Sequence, residues 1–235
     1  MNLIKRAGGV FVDPRRTFEG LAARPAWIDM LVVVLLALIA FNLVVLPYAQ
    51  KDNLALMKDN AALKERMGED AYAKLIERTE HPSRSGQILQ IFVTTPLFAA
   101  AALLLQSLLL LILGRLLSTQ GTYVQALAAL VHASLIDKLL GNAVRLGLAL
   151  SRGSLMQTST SLALLFPRLE VTSTLYIMLT QVDFFQLWMF GVLAFGLSAI
   201  FRIAPKKALV LSYGVWALKA LTNIGIGLIG TSFLR

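Results

Sequence analysis

The chain of 235 residues contains no cysteine, which excludes disulfide bonds and thiolate metal ligands while leaving the compartment open. Charge is also scarce. Asp, Glu, Lys and Arg make up 15% of the residues, against roughly 25% in soluble globular domains. The H-E-x-x-H zinc pair, the G-x-S-x-G nucleophile elbow and the phosphate-cradling P-loop are all missing. Zinc proteolysis, serine hydrolysis and nucleotide hydrolysis therefore lack their usual equipment. What fills the space is apolar: 57% of the residues are hydrophobic and mean hydropathy is +0.71, the composition of a membrane protein.

A helix needs about 20 apolar residues to cross a hydrocarbon core of roughly 30 Å. Met30 to Gln50 and Ser85 to Gly114 carry no charge, Tyr123 to Leu150 is apolar with embedded charges, Phe184 to Phe201 is charge-free, and Ala208 to Ile229 is broken only by Lys219. Lipid offers the backbone no hydrogen-bond partner, so each span is a helix or part of a closed barrel, and continuous apolar runs without alternation exclude the barrel. The expected fold class is all-α: a polytopic transmembrane helical bundle of about five spans with an N-terminal interfacial amphipathic segment. Its parts are a basic collar at 1–26, a first span at 27–49, a charged helical loop at 50–85 and a four-span bundle at 86–235, with spans near 88–115, 123–150, 183–202 and 207–230. Signal-peptide cleavage is not expected, because the first apolar run outlasts the usual roughly 7 to 15 residues and ends in "LPYAQ" without an A-x-A site.

In the collar, Leu3, Ile4, Ala7, Val10 and Phe11 recur at helical spacing with Lys5 and Arg6 off that face. Asp13 suits an N-cap and Pro14 the first helical residue of a second short helix carrying Phe18 and Leu21. Pro25 and Trp27 mark the membrane entry. Lys5, Arg6, Arg15, Arg16 and Arg24 then read as a membrane-surface cluster facing anionic headgroups, a better account of the net charge of +9 than nucleic-acid binding. Lys51 to Arg84 holds seven basic and seven acidic residues, with an i,i+4 pair at Asp70 and Lys74, and is expected to form a solvated helical hairpin bent near Gly68. Val171, Leu175, Met178 and Val182 suggest a further interfacial helix, whereas "GSLMQTSTSLALL" fits no class. With the N-terminus inside, nine basic residues fall inside and ten outside, Arg235 among the latter, so the count is undecided. Five basic residues before the first span favour a cytoplasmic N-terminus.

Two motifs tempt. "GIGLIG" spells GxGxxG at Gly225, Gly227 and Gly230 but follows a membrane helix rather than a strand, so close helix packing is the better reading. His132 and Asp137 in "HASLID" have the H-x4-D spacing of glycerolipid acyltransferases, yet on a regular helix five positions turn the two side chains roughly 140° apart. More informative is one broad face of the third span carrying Ser134, Asp137, Lys138, Gly141 and Arg145. A charge at mid-span costs about 2.5 to 3.5 kcal/mol, so such groups face the bundle interior, a watery cavity or each other. Asp137, Lys138, Arg145 and Lys219 form the candidate intramembrane polar cluster, with Lys219 a partner for Asp137, and Asp183 positioned to meet a cation near a helix end. Its uses are a structural ion pair or a permeation path. The residues point to no catalytic, cofactor or metal site.

"DPRRTFEGLAARPAW" at Asp13 to Trp27, "GTYVQALAALVHASL" at Gly121 to Leu135 and "VDFFQLWMFGVLAFGLSAI" at Val182 to Ile200, followed by "PKKAL", together resemble the Yip family, membrane proteins named for interaction with Ypt/Rab GTPases. The resemblance implies five helical spans and a cytosolic N-terminal region. In eukaryotic members it implies binding of prenylated Rab proteins. The short N-terminal region here is closer to the prokaryotic branch, for which no Rab GTPase partner is expected. "LIDKLL" places charge where relatives carry apolar residues or proline. The reading is thus a non-enzymatic protein of a bacterial inner membrane, a scaffold or accessory partner of other membrane proteins, with a transporter or channel along the charged third and fifth spans as the alternative.

Overall fold

The computed structural model describes residues 1–58, 60–156 and 160–232. The helices are α1 (Leu3–Val12), α2 (Pro14–Ala23), α3 (Ile28–Lys58), α4 (Ala61–Met67), α5 (Glu69–Glu80), α6 (Arg84–Arg115), α7 (Tyr123–Arg152), α8 (Thr174–Gln181), α9 (Phe184–Phe201) and α10 (Pro205–Ser232). Among the described residues no strand forms, and Leu162–Leu165 is a single 3-10 turn. α3, α6, α7, α9 and α10 are each long and apolar enough to cross a membrane, so the chain is an all-α polytopic membrane protein with five candidate spans.

Local chemistry sets the boundaries. Asn2 caps α1 by accepting from the Lys5 amide, and Asp13 caps α2 by accepting from Arg16 with Pro14 at the first helical position. Thr122 and Gln125 form a capping box at the start of α7. α3 runs past Pro47 and the expected end of the first span at residue 49 and stops only at Lys58, because Leu54, Ala55, Leu56, Met57 and Lys58 all favour helix. In α6 a π-helical stretch, Gln90–Thr94, ends two residues before Pro96. A proline ring clashes with the carbonyl four residues back, here Phe92, and the widened turn accommodates that clash. A second π-helical stretch, Ile136–Gly141, interrupts α7.

The chain divides into two compact units. The first comprises Met1–Ile39, Pro96–Asn142 and Phe184–Lys219. Its core joins Val10, Phe18 and Leu21 to Leu130, Leu135 and Ile136 of α7 and to Phe190, Leu193, Leu197 and Phe201 of α9. The apolar face of the collar is therefore spent on protein helices rather than on lipid. Two expectations for α1 change accordingly: Ile4 lies outside the packed face at 80% exposure, and Arg6 turns inward to pair with Asp29. Close approach to Phe201 requires glycine at two places. A Cβ on Gly114 would lie 2.2 Å from the Phe201 ring, and Gly121, at φ +92°, would meet the same ring at 2.7 Å.

The second unit comprises the described residues of Ala40–Thr95, Ala143–Asp183 and Ala220–Arg235. The charged loop is helical and breaks at Gly68 (φ 78°) as its composition suggests. Ion pairs Lys58–Glu80 at 2.5 Å and Lys64–Glu69 at 2.9 Å join its segments. The unclassified stretch after Gly153 is partly explained by Asp52, whose carboxylate accepts from the Leu155 and Met156 amides and the Ser154 hydroxyl at 2.6–3.1 Å. Gln157 to Ser159 and Arg235 lie outside the described residues. The interfacial helix expected around Val171–Val182 is α8, capped by Ser173. Its Tyr176 hydroxyl donates to the Met156 carbonyl, and burial pushes that phenol's pKa up. In "GIGLIG" only Gly227 makes a close approach: a Cβ there would meet Ile177 at 2.9 Å, while Gly225 and Gly230 face open space.

Candidate functional site

α7 is the least apolar of the five spans and the most enclosed. Of its 18-residue apolar window 72% is buried, against 17% in α3 and 22% in α6. The two facts share a cause: a helix screened from lipid by its neighbours can carry polar groups that a lipid-facing helix cannot. Ser134, buried, donates to the Val131 carbonyl at 2.7 Å. His132, fully buried, has Nδ1 2.8 Å from the Ala128 carbonyl and an Nε2 with no hydrogen-bond partner. The acyltransferase-like base would need a free nitrogen facing substrate and a carboxylate behind it, and this imidazole is walled in.

Each of the four candidate cluster residues has a polar partner. Asp137, 2% exposed, sits in the π-helical stretch and accepts from the ammonium of the adjacent Lys138 at 3.0 Å. Consecutive residues of a regular α-helix point about 100° apart, and here the two neighbours pair within an irregular turn. Lys219, expected opposite Asp137, donates to the Gln186 side chain at 2.7 Å. These three belong to the first unit and Arg145 to the second. Arg145 meets Asp183 at 2.9 Å, as the position of Asp183 at a helix end suggested. Thr160 closes a triangle, accepting from Arg145 Nε at 3.2 Å and donating to Asp183 at 2.5 Å. A backbone bridge between Ser161 and Asp183 holds the same corner. Asp137, Lys138, Arg145 and Lys219 each thus meet a nearby polar group, the arrangement that limits the cost of burying a charge.

The basic collar is similarly mixed. Lys5, Arg15, Arg16 and Arg24 remain exposed. Arg15 donates through Nε to Glu19 one turn on, at 3.2 Å. Arg6 is the exception described above, and its Nε is buried without a partner. Arg115 is used locally, donating to the Thr119 and Gly121 carbonyls that shape the turn before α7.

Several polar partners carry no sequence signal of their own. Gln186 is one amide in a charge-free span, Thr160 sits in an unclassified stretch, and Asp52 is one of seven loop acids. Asp29 offered a hint: an acid in the first turn of an apolar span, close to a cluster of arginines. Residues 8–226 of the chain match the family model described as Yip1 domain. No curated protein and no solved structure matches the chain.

Proposed function

Since the chain belongs to the Yip1-domain family of integral membrane proteins, we propose that it acts without catalysis, as a scaffold or accessory partner of other membrane proteins. The observation that carries this reading is the local pairing of the polar span residues, Asp137 with Lys138 and Arg145 with Asp183 as ion pairs and Lys219 with Gln186 as a hydrogen bond. Groups serving a path would line open space, yet the cleft lined by Arg15 and Arg202 and that lined by Arg152 and Tyr176 include none of the four. The chain sits in a bacterial inner membrane with its N-terminus cytoplasmic and the exposed collar cations against anionic headgroups.

Cross-linking in the native membrane, with identification of the captured proteins, tests the role. Reversing charge at Arg15, Arg16 and Arg24 is expected to weaken partner recovery or correct topology. Unchanged partners and topology reject the collar's part in it. Because the chain lacks cysteine, single substitutions Lys5→Cys and Asp70→Cys give clean labels for orientation: the first should be shielded from an impermeant reagent in intact cells and the second labelled. The π-helical stretch holding Asp137 and Lys138 favours one second reading, a transporter or channel, since such irregular turns frequently occur at functional sites. Solute flux into liposomes that Asp137→Asn abolishes would displace the scaffold in its favour.

A further inference from the structure

A cleft of about 460 Å³ opens in the first unit between α2, α9 and α10, within the range of small-molecule sites. Its lining divides by chemistry. Gly191, Ala194, Phe195 and Leu209 give it an apolar wall, Arg15 and Arg202 supply two guanidinium groups, and Glu19, the ion-pair partner of Arg15, supplies one carboxylate.

Arg202 is held at φ 51°, in the left-handed region, just past the C-terminus of α9. Glycine is the ordinary residue there, since any Cβ is strained in that conformation. A position whose backbone asks for glycine holds arginine, which points to a use for the side chain. That guanidinium makes no hydrogen bond or ion pair among the described residues, and neither do the ammonium groups of Lys206 and Lys207. Both lysines occupy the first turn of α10, the end of a helix where cations oppose the dipole and anions are favoured. Arg15 gives its Nε to Glu19, and its two terminal nitrogens make no further bond. The cleft therefore carries one unpaired guanidinium, Arg202, and one shared with Glu19, Arg15, with two unpaired lysines directly following its lining residue Pro205, so cations outnumber the single carboxylate beside an apolar trough in a chain whose surroundings are lipid.

We propose that this cleft binds one anionic glycerophospholipid of the surrounding bilayer, its phosphate held by Arg15 and Arg202 and one acyl chain laid along Gly191, Ala194, Phe195 and Leu209. Guanidinium forks match phosphate oxygens in geometry as well as charge. Charge complementarity selects the headgroup: a zwitterionic lipid would bring its own cation against Arg202, Lys206 and Lys207. A second copy would bring a rim of the same sign, and inorganic phosphate would leave the apolar wall unused. The proposal requires only that the chain is inserted in a bilayer, and its readout is lipid retention rather than partner recovery.

The full chain in neutral detergent is offered phosphatidylglycerol, phosphatidylcholine or glycerol 3-phosphate, and bound species are read by native mass spectrometry. Phosphatidylglycerol should be retained about tenfold or more over phosphatidylcholine, and glycerol 3-phosphate not at all. Arg202→Gly should lower phosphatidylglycerol retention by about tenfold, with the lipid-free melting temperature unchanged or higher because the backbone strain is relieved. Arg202→Gln, which removes the charge alone, should lose the lipid in parallel. Ala199→Phe should fill the trough and exclude the chain, and Lys5→Gln, an exposed cation outside the cleft, should change nothing. Any of four results overturns the proposal: full retention by either Arg202 variant, equal retention of phosphatidylcholine, equal loss on Lys5→Gln, or equal binding of glycerol 3-phosphate. Dimers that Ala199→Phe dissociates would assign the cleft to a second copy and also overturn it.

Discussion

Removing one member of the Arg145–Asp183 pair should cost far more than removing both. Asp183 is 5% exposed, and its carboxylate accepts from Arg145 and Thr160 on its two oxygens. Asp183→Ala takes the carboxylate away from a guanidinium that is 18% exposed. Loss of one partner of a buried pair costs about 3 to 5 kcal/mol, and the long arginine stem can relax toward water, so the lower end, about 3 kcal/mol, is expected. At roughly 2 to 4 °C per kcal/mol for a chain of this size, the thermal midpoint should fall by about 6 to 12 °C. Arg145→Met should cost at least as much, because it takes the cation away from the more enclosed carboxylate. The double variant Arg145→Met with Asp183→Leu removes both charges and should fall short of the summed single losses by about 2 kcal/mol or more. The assay is thermal melting of the full chain in one detergent, followed by circular dichroism at the helix minimum. If the double variant equals the sum of the singles to within about 0.5 kcal/mol, the two groups are solvated independently and the pairing argument fails.

Gly114→Ala should destabilise by about 1 to 3 kcal/mol, since the added methyl lands on the buried Phe201 ring, and Phe201→Leu in the same chain should recover part of that loss on melting. Asp52→Ala removes an acceptor shared by Leu155, Met156 and Ser154 and should cost about 1.5 to 3 kcal/mol, with faster amide exchange confined to the residues around Met156. His132→Leu should be within about 1 kcal/mol of neutral, because it removes a buried nitrogen that has no partner. A large loss of any lipid-modifying activity with stability intact would instead restore a chemical role for that imidazole. In the charged loop, Lys58 and Lys64 hold the Glu80 and Glu69 carboxyls below their usual pKa of 4.5. That contribution is present above pH 4.5 and is lost as acidification passes the lowered values, so α5 amides should exchange faster at pH 3.5 than at pH 6 after correction for intrinsic rates. Equal corrected rates would show that these exposed pairs do not hold the hairpin.

Hydropathy alone marked the long apolar helices, because a bilayer leaves an apolar run of that length no alternative to a helix: the edges of the helices α9 and α10 differ from the expected ones by one or two residues. Capping at Asp13 and the break at Gly68 were equally legible, each being a matter of one residue's own backbone preferences. The first-span boundary was less so, since helix propensity carried α3 on to Lys58 after the apolar run had ended. Pairing was not legible. Asp137 turned to its neighbour within a π-helical irregularity that no spacing announces, and Lys219 met Gln186 on another helix. Amphipathic periodicity marked a sticky face on α1 and α2 but could not say what covers it, because lipid and a neighbouring helix are equally apolar to such a face. The sequence by itself thus determined that this is a helical membrane protein, since transfer into lipid depends on the run of side chains alone. Which charges neutralise which, and which apolar faces meet protein, only the tertiary structure decided, because those depend on groups 15 to 38 residues apart brought within a hydrogen bond's length.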